Sequence, residues 1–140
     1  VHPFRVAQAK ALLKKAKVCT VIGFPLGANR AEVKALESIR AIADGADELD
    51  MVMNIGAFKE GNLAAVENDI SSVVKAAKGA LVKVILETVL LAPDEIATAC
   101  AVAEIAGADF VKTSSGFAKG GATVEAVRKM HEAVGGRLGI

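Results

Sequence analysis

Leu81-Val82-Lys83-Val84-Ile85-Leu86-Glu87 carries five aliphatic residues in seven, and such a density of branched side chains reads as a buried strand. Successive side chains of a strand point to opposite faces, so Lys83, Ile85 and Glu87 share one face while Val84 and Leu86 share the other. The same parity recurs in two further apolar runs. Asp50 falls with Val52 and Asn54, opposite Met51, and Lys112 falls with Phe110 and Ser114, opposite Val111. Each run therefore has one charged face and one greasy face.

Outward from these runs, Val- and Ile-rich stretches predict strands at 17–23, 48–53, 81–87 and 109–113, with a last run opening at Arg137. Amphipathic stretches at 3–16, 29–43, 61–78, 93–106 and 122–134 read as the helices between them. Asn29 is expected to cap the second helix and Pro93 to open the fourth, while Gly45 and Gly107 sit where helices end in a left-handed residue. Gly45-Ala46-Asp47 and Gly107-Ala108-Asp109 repeat one helix-to-strand turn, which shared turn chemistry accounts for. Strand starts recur roughly every 30 residues, the length of a βα unit, so the sheet is expected to be parallel.

Two architectures fit a repeated βα pattern. An open doubly wound sheet has helices on both faces and asks for apolar residues on both. A (β/α)8 or TIM barrel has helices outside only, and collects polar groups in its lumen at the C-terminal ends of the strands. The charged faces at Asp50, Lys83, Glu87 and Lys112 favour the α/β barrel. A whole barrel takes about 250 residues. The 140 residues here supply one partial domain, 1–140, of about four βα units and the start of another strand. The sequence opens on Val1 without a signal-peptide pattern and reads as cut from something longer.

Composition narrows the function. The chain is 53% hydrophobic and 24% charged, which reads as soluble and globular, with 17 basic against 16 acidic residues. That balance offers no basic excess for nucleic acid or an anionic membrane, and no apolar run approaches the roughly 20 residues that span a bilayer. Cys19 and Cys100 lack metal-ligand spacing and read as free thiols in a reducing, cytoplasmic compartment. His2 and His131 stand apart in no ligand cluster, so no metal site is expected.

Lysines inside apolar strands lose hydration, and must either pair or shed a proton. A lysine pressed toward the neutral form by burial or by a second cation can attack a carbonyl and form an imine. Lys112 with Lys83 beside it fits that chemistry, and Asp50 at a strand end is placed to move protons. The residues equally allow ion pairing of Lys83 and Lys112 with Asp50 or Glu87. Gly116-Phe117-Ala118-Lys119-Gly120-Gly121-Ala122-Thr123 is a Gly-rich loop whose free N–H groups could face an anion, although its spacing matches no phosphate-binding fingerprint.

Asp109-Phe110-Val111-Lys112-Thr113-Ser114-Ser115-Gly116-Phe117 closely resembles the Schiff-base strand of class I deoxyribose-phosphate aldolases. The resemblance extends through Val18-Cys19-Thr20-Val21-Ile22-Gly23-Phe24-Pro25-Leu26-Gly27, Gly45-Ala46-Asp47-Glu48-Leu49-Asp50-Met51-Val52 and Val82-Lys83-Val84-Ile85-Leu86-Glu87-Thr88, in the family's order and spacing. It implies a cofactor-free barrel that reversibly cleaves 2-deoxyribose 5-phosphate to glyceraldehyde 3-phosphate and acetaldehyde. Lys112 then matches the Schiff-base lysine, Asp50 the proton-relay aspartate and Lys83 a supporting lysine, with Ser114 and Gly116 on the substrate side. The resemblance also implies that residues 1–140 run from the exit of the family's second strand to the start of its seventh. A second catalytic lysine and most of the phosphate site would follow Ile140, so little turnover is expected of these residues alone. A phosphorylated sugar and an aldehyde are the expected small-molecule partners. Another class I aldolase or a barrel isomerase is the nearest rival. Exposed parallel edges suggest a homo-oligomer, or a non-catalytic self-associating barrel fragment.

Overall fold

The first four Val- and Ile-rich runs become strands and each amphipathic stretch a helix in the computed structural model, which describes residues 1–140, while the run opening at Arg137 makes only an isolated bridge. Strands β1 (Cys19–Ile22), β2 (Glu48–Val52), β3 (Leu81–Ile85) and β4 (Phe110–Lys112) form one parallel sheet in the order β1-β2-β3-β4. A doubly wound sheet would reverse direction at a switch point, whereas this order advances one strand at a time. The architecture is a partial (β/α)8 barrel. Gly139 makes the first contact of a fifth strand, its N–H donating to Asp109 O and its carbonyl accepting from Val111 N–H, both at 3.0 Å.

Helices α1 (Val6–Leu12), α2 (Ala31–Ala43), α3 (Ile55–Lys59), α4 (Leu63–Ala76), α5 (Pro93–Ile105) and α6 (Val124–Val134) complete the βα units. A single core lies between the helices and the greasy strand face. Met51, Val84, Leu86 and Val111 meet Val66, Ile70 and Val73 of α4, Ile96, Ala99 and Cys100 of α5, and Ala126, Met130 and Val134 of α6. The spacing of these helical residues, at i+3, i+4, i+7 or i+8, is the buried stripe of an amphipathic helix.

Several boundaries differ from expectation. The first helical stretch opens as a 3-10 turn, Pro3–Arg5, and stops at Leu12 because Leu13 is already extended. Asn29 does not cap α2; Arg30 occupies that position without a side-chain cap. The short α3 was not anticipated. Asn54 creates it, its Oδ1 accepting the Ala57 N–H at 3.0 Å, so the chain turns helical immediately after β2. Pro93 opens α5, and Gly45 and Gly107 have φ of +101° and +87°, as expected.

The repeated Gly-Ala-Asp turn does more than reverse the chain. Asp47 N–H donates to Val18 O at 2.8 Å while its Oδ2 accepts the Val18 N–H at 2.8 Å. Asp109 repeats both contacts with Val82, at 2.9 Å and 2.8 Å. Each aspartate thereby clasps one residue at the N-terminal end of the preceding strand at two points and sets the register of a parallel pair.

Outside the barrel wall, Lys34 of α2 is fully buried, its Nζ donating to Asp69 Oδ2 of α4 at 2.6 Å and to Val52 O of β2 at 2.9 Å. Burial pushes the Lys34 ammonium down and the Asp69 carboxyl up, each opposed by the other's charge. Removing one partner strands the other in an apolar setting. Lys34→Met is expected to lower unfolding free energy by about 3–5 kcal/mol, with much of the loss recovered in Lys34→Met/Asp69→Leu. Urea titration of the three chains checks this, and a single variant as stable as the parent would show the pair to be dispensable.

Candidate active site

Register stacks the lumen face in layers. Cys19 and Glu48 lie in one layer, Val21, Asp50, Lys83 and Phe110 in the next, and Val52, Ile85 and Lys112 in the last. Lys112 thus stands one layer nearer the C-terminal ends of the strands than Asp50 and Lys83, which is the barrel face where chemistry is expected.

Three side chains converge on Asp50, which is 8% exposed. Lys83 Nζ donates to Oδ1 at 2.9 Å, Cys19 Sγ donates to the same oxygen at 3.1 Å, and Lys112 Nζ reaches Oδ2 at 3.2 Å. Lys83 has a second carboxylate, Glu48 Oε2 at 2.8 Å, and Glu48 also meets Lys17 at 3.3 Å. Lys83 and Lys112 do pair with Asp50, but Glu87 pairs with neither. Its carboxylate instead accepts the Ser115 N–H at 3.2 and 3.3 Å and the Ser115 hydroxyl. Glu87 holds a left-handed backbone (φ +55°) there, a conformation that costs a non-glycine residue about 1–3 kcal/mol and that these contacts stabilise.

The charges divide the labour. Burial works against the Asp50 carboxylate, yet hydrogen bonds from Lys83 and Cys19, with the charge of Lys83 and a contact from Lys112, hold it below the usual range. Burial also works against the Lys83 ammonium, but Glu48 and Asp50 outweigh it and push Lys83 upward. Of the two outcomes open to a lysine in an apolar strand, Lys83 therefore takes ion pairing: two carboxylates keep it cationic, as its expected role beside Lys112 requires. Lys112 makes a single contact to the cluster, and its side chain is 43% exposed against 21% for Lys83. It is the lysine that can reach a ligand.

Ser114 and Gly116 follow on the loop after β4. Ser114 Oγ is buried with no hydrogen-bond partner, and the Gly116 N–H has no acceptor within the chain. Glu48 and Cys19 were missed in the sequence reading. Glu48 stands two residues before Asp50 and so shares its face, a signal available from parity alone. Cys19 had no such signal, because its place beside Asp50 depends on β1 pairing with β2.

Residues 1–137 match the family model described as "DeoC/LacD family aldolase". The chain belongs to that family. Deoxyribose-phosphate aldolase from Exiguobacterium sibiricum is 59% identical over 143 residues, and that from Thermococcus gammatolerans 58% identical over 146. All of this chain is covered, but only 65% of either relative, so the chain spans about two thirds of their length. Among solved structures, "QR15, an Aldolase" superposes with a TM-score of 0.96 at 44% identity, covering 99% of this chain and 62% of its own. A tetrameric deoxyribose phosphate aldolase from Aeropyrum pernix superposes at 0.86 and 36% identity, covering 96% and 57%. These likenesses fit a partial aldolase barrel.

Burial, the Asp50 hydrogen bond and the Asp50 charge together push the Cys19 thiol up to about 11, with Lys83 opposing. A thiol of ordinary pKa near 8.5 alkylates readily at that pH, whereas Cys19 should react about a hundredfold more slowly there. The rate should climb as pH approaches 11, and Asp50→Asn should move the whole curve down. Peptide-resolved mass spectrometry after timed iodoacetamide treatment separates Cys19 from Cys100. An unshifted curve in the variant would remove Asp50 from the cause.

Proposed function

We propose that this chain carries the imine-forming wall of a deoxyribose-phosphate aldolase, and that its four strands are the third to sixth of an eight-strand barrel. The observation that carries this reading is the convergence of Lys83 and of Lys112, at the end of β4, on Asp50 in the lumen, in a chain of this family. The substrate is 2-deoxyribose 5-phosphate, in keeping with the relatives' name, and the reaction runs through Lys112 as a Schiff base.

In this reading the unprotonated Lys112 Nζ adds to the C1 aldehyde carbon of the open-chain sugar, and loss of water leaves an iminium. The C2–C3 bond then breaks with its electron pair drawn toward the iminium nitrogen, giving an enamine. The C3 hydroxyl loses its proton and becomes the aldehyde of glyceraldehyde 3-phosphate. Protonation of the enamine at C2 and hydrolysis release acetaldehyde and the free lysine. Asp50 Oδ2, 3.2 Å from Lys112 Nζ, takes up and returns protons at the reacting carbon and nitrogen, directly or through water. Lys83 holds Asp50 ionised. Ser114, with spare hydrogen-bonding capacity, and Gly116, with its free N–H, serve the substrate side.

The free thiols of Cys19 and Cys100 agree with a cytoplasmic location, and no helix is long and apolar enough to cross a membrane. Self-association is supported by two surfaces. Strand β1 has a strand neighbour on one side only, and Val33, Leu36 and Ile39 leave an apolar stripe exposed on α2.

Acetaldehyde followed by borohydride should attach a two-carbon group at Lys112, with no adduct at that position in Lys112→Arg. Asp50→Asn should slow trapping by about 10²- to 10⁴-fold, the usual range for general acid–base help. Adducts confined to surface lysines would sink the assignment. Light scattering at micromolar concentration should in turn report a species larger than a monomer, and a stable monomer would leave the two exposed surfaces without a partner.

A further inference from the structure

Asp50 divides its two oxygens unequally. Oδ1 receives both Lys83 and Cys19, while Oδ2 receives only Lys112. A lysine on a flexible four-carbon stem would not respect that division by itself, since its ammonium could reach either oxygen of the same carboxylate and displace Lys112. Something must restrict Lys83. Glu48 stands two residues earlier on β2, one layer further from the strand ends, with its Oε2 2.8 Å from Lys83 Nζ. It draws the ammonium to the side away from Lys112, and Lys17 at 3.3 Å steadies Glu48 from outside.

We infer that Glu48 is a positioning residue for the Lys112 reaction: by holding Lys83 against Asp50 Oδ1, it reserves Asp50 Oδ2 for Lys112. This rests on the reading of Lys112 as the imine-forming residue, and it concerns a residue that never touches the substrate. The groups facing Lys83 are Cys19 from β1, Glu48 and Asp50 from β2, and Lys112 from β4, so Glu48 is the one carboxylate near Lys83 that is not shared with Lys112. Glu48 is itself held below the usual carboxylate range by its hydrogen bond to Lys83, against the cost of burial, and so is ionised at neutral pH, where Lys83 is charged.

Glu48→Gln is the test, because the amide keeps the shape and one acceptor oxygen but loses the charge. In the 140-residue chain with isotope-labelled lysine side chains, the Lys83 ammonium should titrate about one unit lower in the variant, as expected when an opposite charge is removed. The Lys112 resonance should respond as Lys83 begins to compete for Oδ2. Borohydride-trapped acetaldehyde adduct at Lys112 should form about ten- to a hundredfold more slowly, the scale of one charge-assisted hydrogen bond, with a displaced pH profile. Glu48→Asp, which restores the charge, should recover part of both effects. The urea midpoint is recorded beside them, and a loss of stability with unchanged titrations and an unchanged pH profile would mean that Glu48 is only structural. If the parent traps at Lys112 and Glu48→Gln matches it in rate and profile, the Glu48 inference is overturned while the function stands. If the parent fails to trap at all, the functional reading falls first. The Lys83 titration and the Lys112 resonance then decide alone, and no change in either in Glu48→Gln overturns the clamp as well.

Discussion

Parallel register is the constraint on which everything else in this chain depends. A slip of one residue would turn every lumen side chain outward, burying Asp50, Lys83 and Lys112 under helices and exposing Met51, Val84 and Val111. Two aspartates guard against it. Asp47 and Asp109 each take the N–H of one residue, Val18 or Val82, at the start of the neighbouring strand on a side-chain oxygen while giving their own N–H to its carbonyl. Because each contact uses both polar groups of one partner residue, a shifted pairing would leave a carboxylate and an amide without partners. The clasp sits at the N-terminal ends of the strands, away from the chemistry, which is where stability determinants of a barrel are expected.

Once register is set, the lumen becomes a problem in charge balance. Three lysines, Lys17, Lys83 and Lys112, face two carboxylates, Glu48 and Asp50, in a graded environment. The least exposed of the three, Lys83, takes both carboxylates; the other two take one each. Exposed pairs such as Lys17–Glu48 contribute little to stability, whereas partly buried ones fix geometry because their desolvated groups have no water to turn to. The consequence is a carboxylate with one oxygen committed and the other available. On the opposite face of β2, Lys34 and Asp69 solve the same problem with a single closed pair that also holds Val52 O, so the strand carrying Asp50 is anchored by charge on both sides.

Much of this was legible beforehand, and the reason differs from residue to residue. Lys83 and Lys112 betrayed themselves as charges inside apolar runs, and parity placed them with Asp50 on one face. Helix ends at Gly45 and Gly107 were readable because only a left-handed residue closes that turn. Glu87 misled: it shares the parity of Lys83, but β3 ends at Ile85 and the left-handed backbone at Glu87 turns its carboxylate onto Ser115. Asn29 misled for a related reason, since capping preference says which residues can cap but not where the chain first becomes helical. Lys34 escaped notice because a lysine on an amphipathic helix is ordinarily solvated, and nothing local marks it as the buried member of its turn.

The sequence by itself determined the order of βα units, the face each strand residue occupies and the family. The first two follow from alternation and spacing, which are properties of neighbouring residues along the chain, and the family follows from the resemblance of segments such as 109–117. Tertiary structure alone decided that Glu48 and Asp50 both close on Lys83, that Cys19 joins Asp50 Oδ1, that Lys112 keeps a single contact, and that Asp47 and Asp109 clasp Val18 and Val82, 29 and 27 residues earlier. Each of those contacts joins groups on different strands, and the distance between them exists only once the strands lie side by side in register.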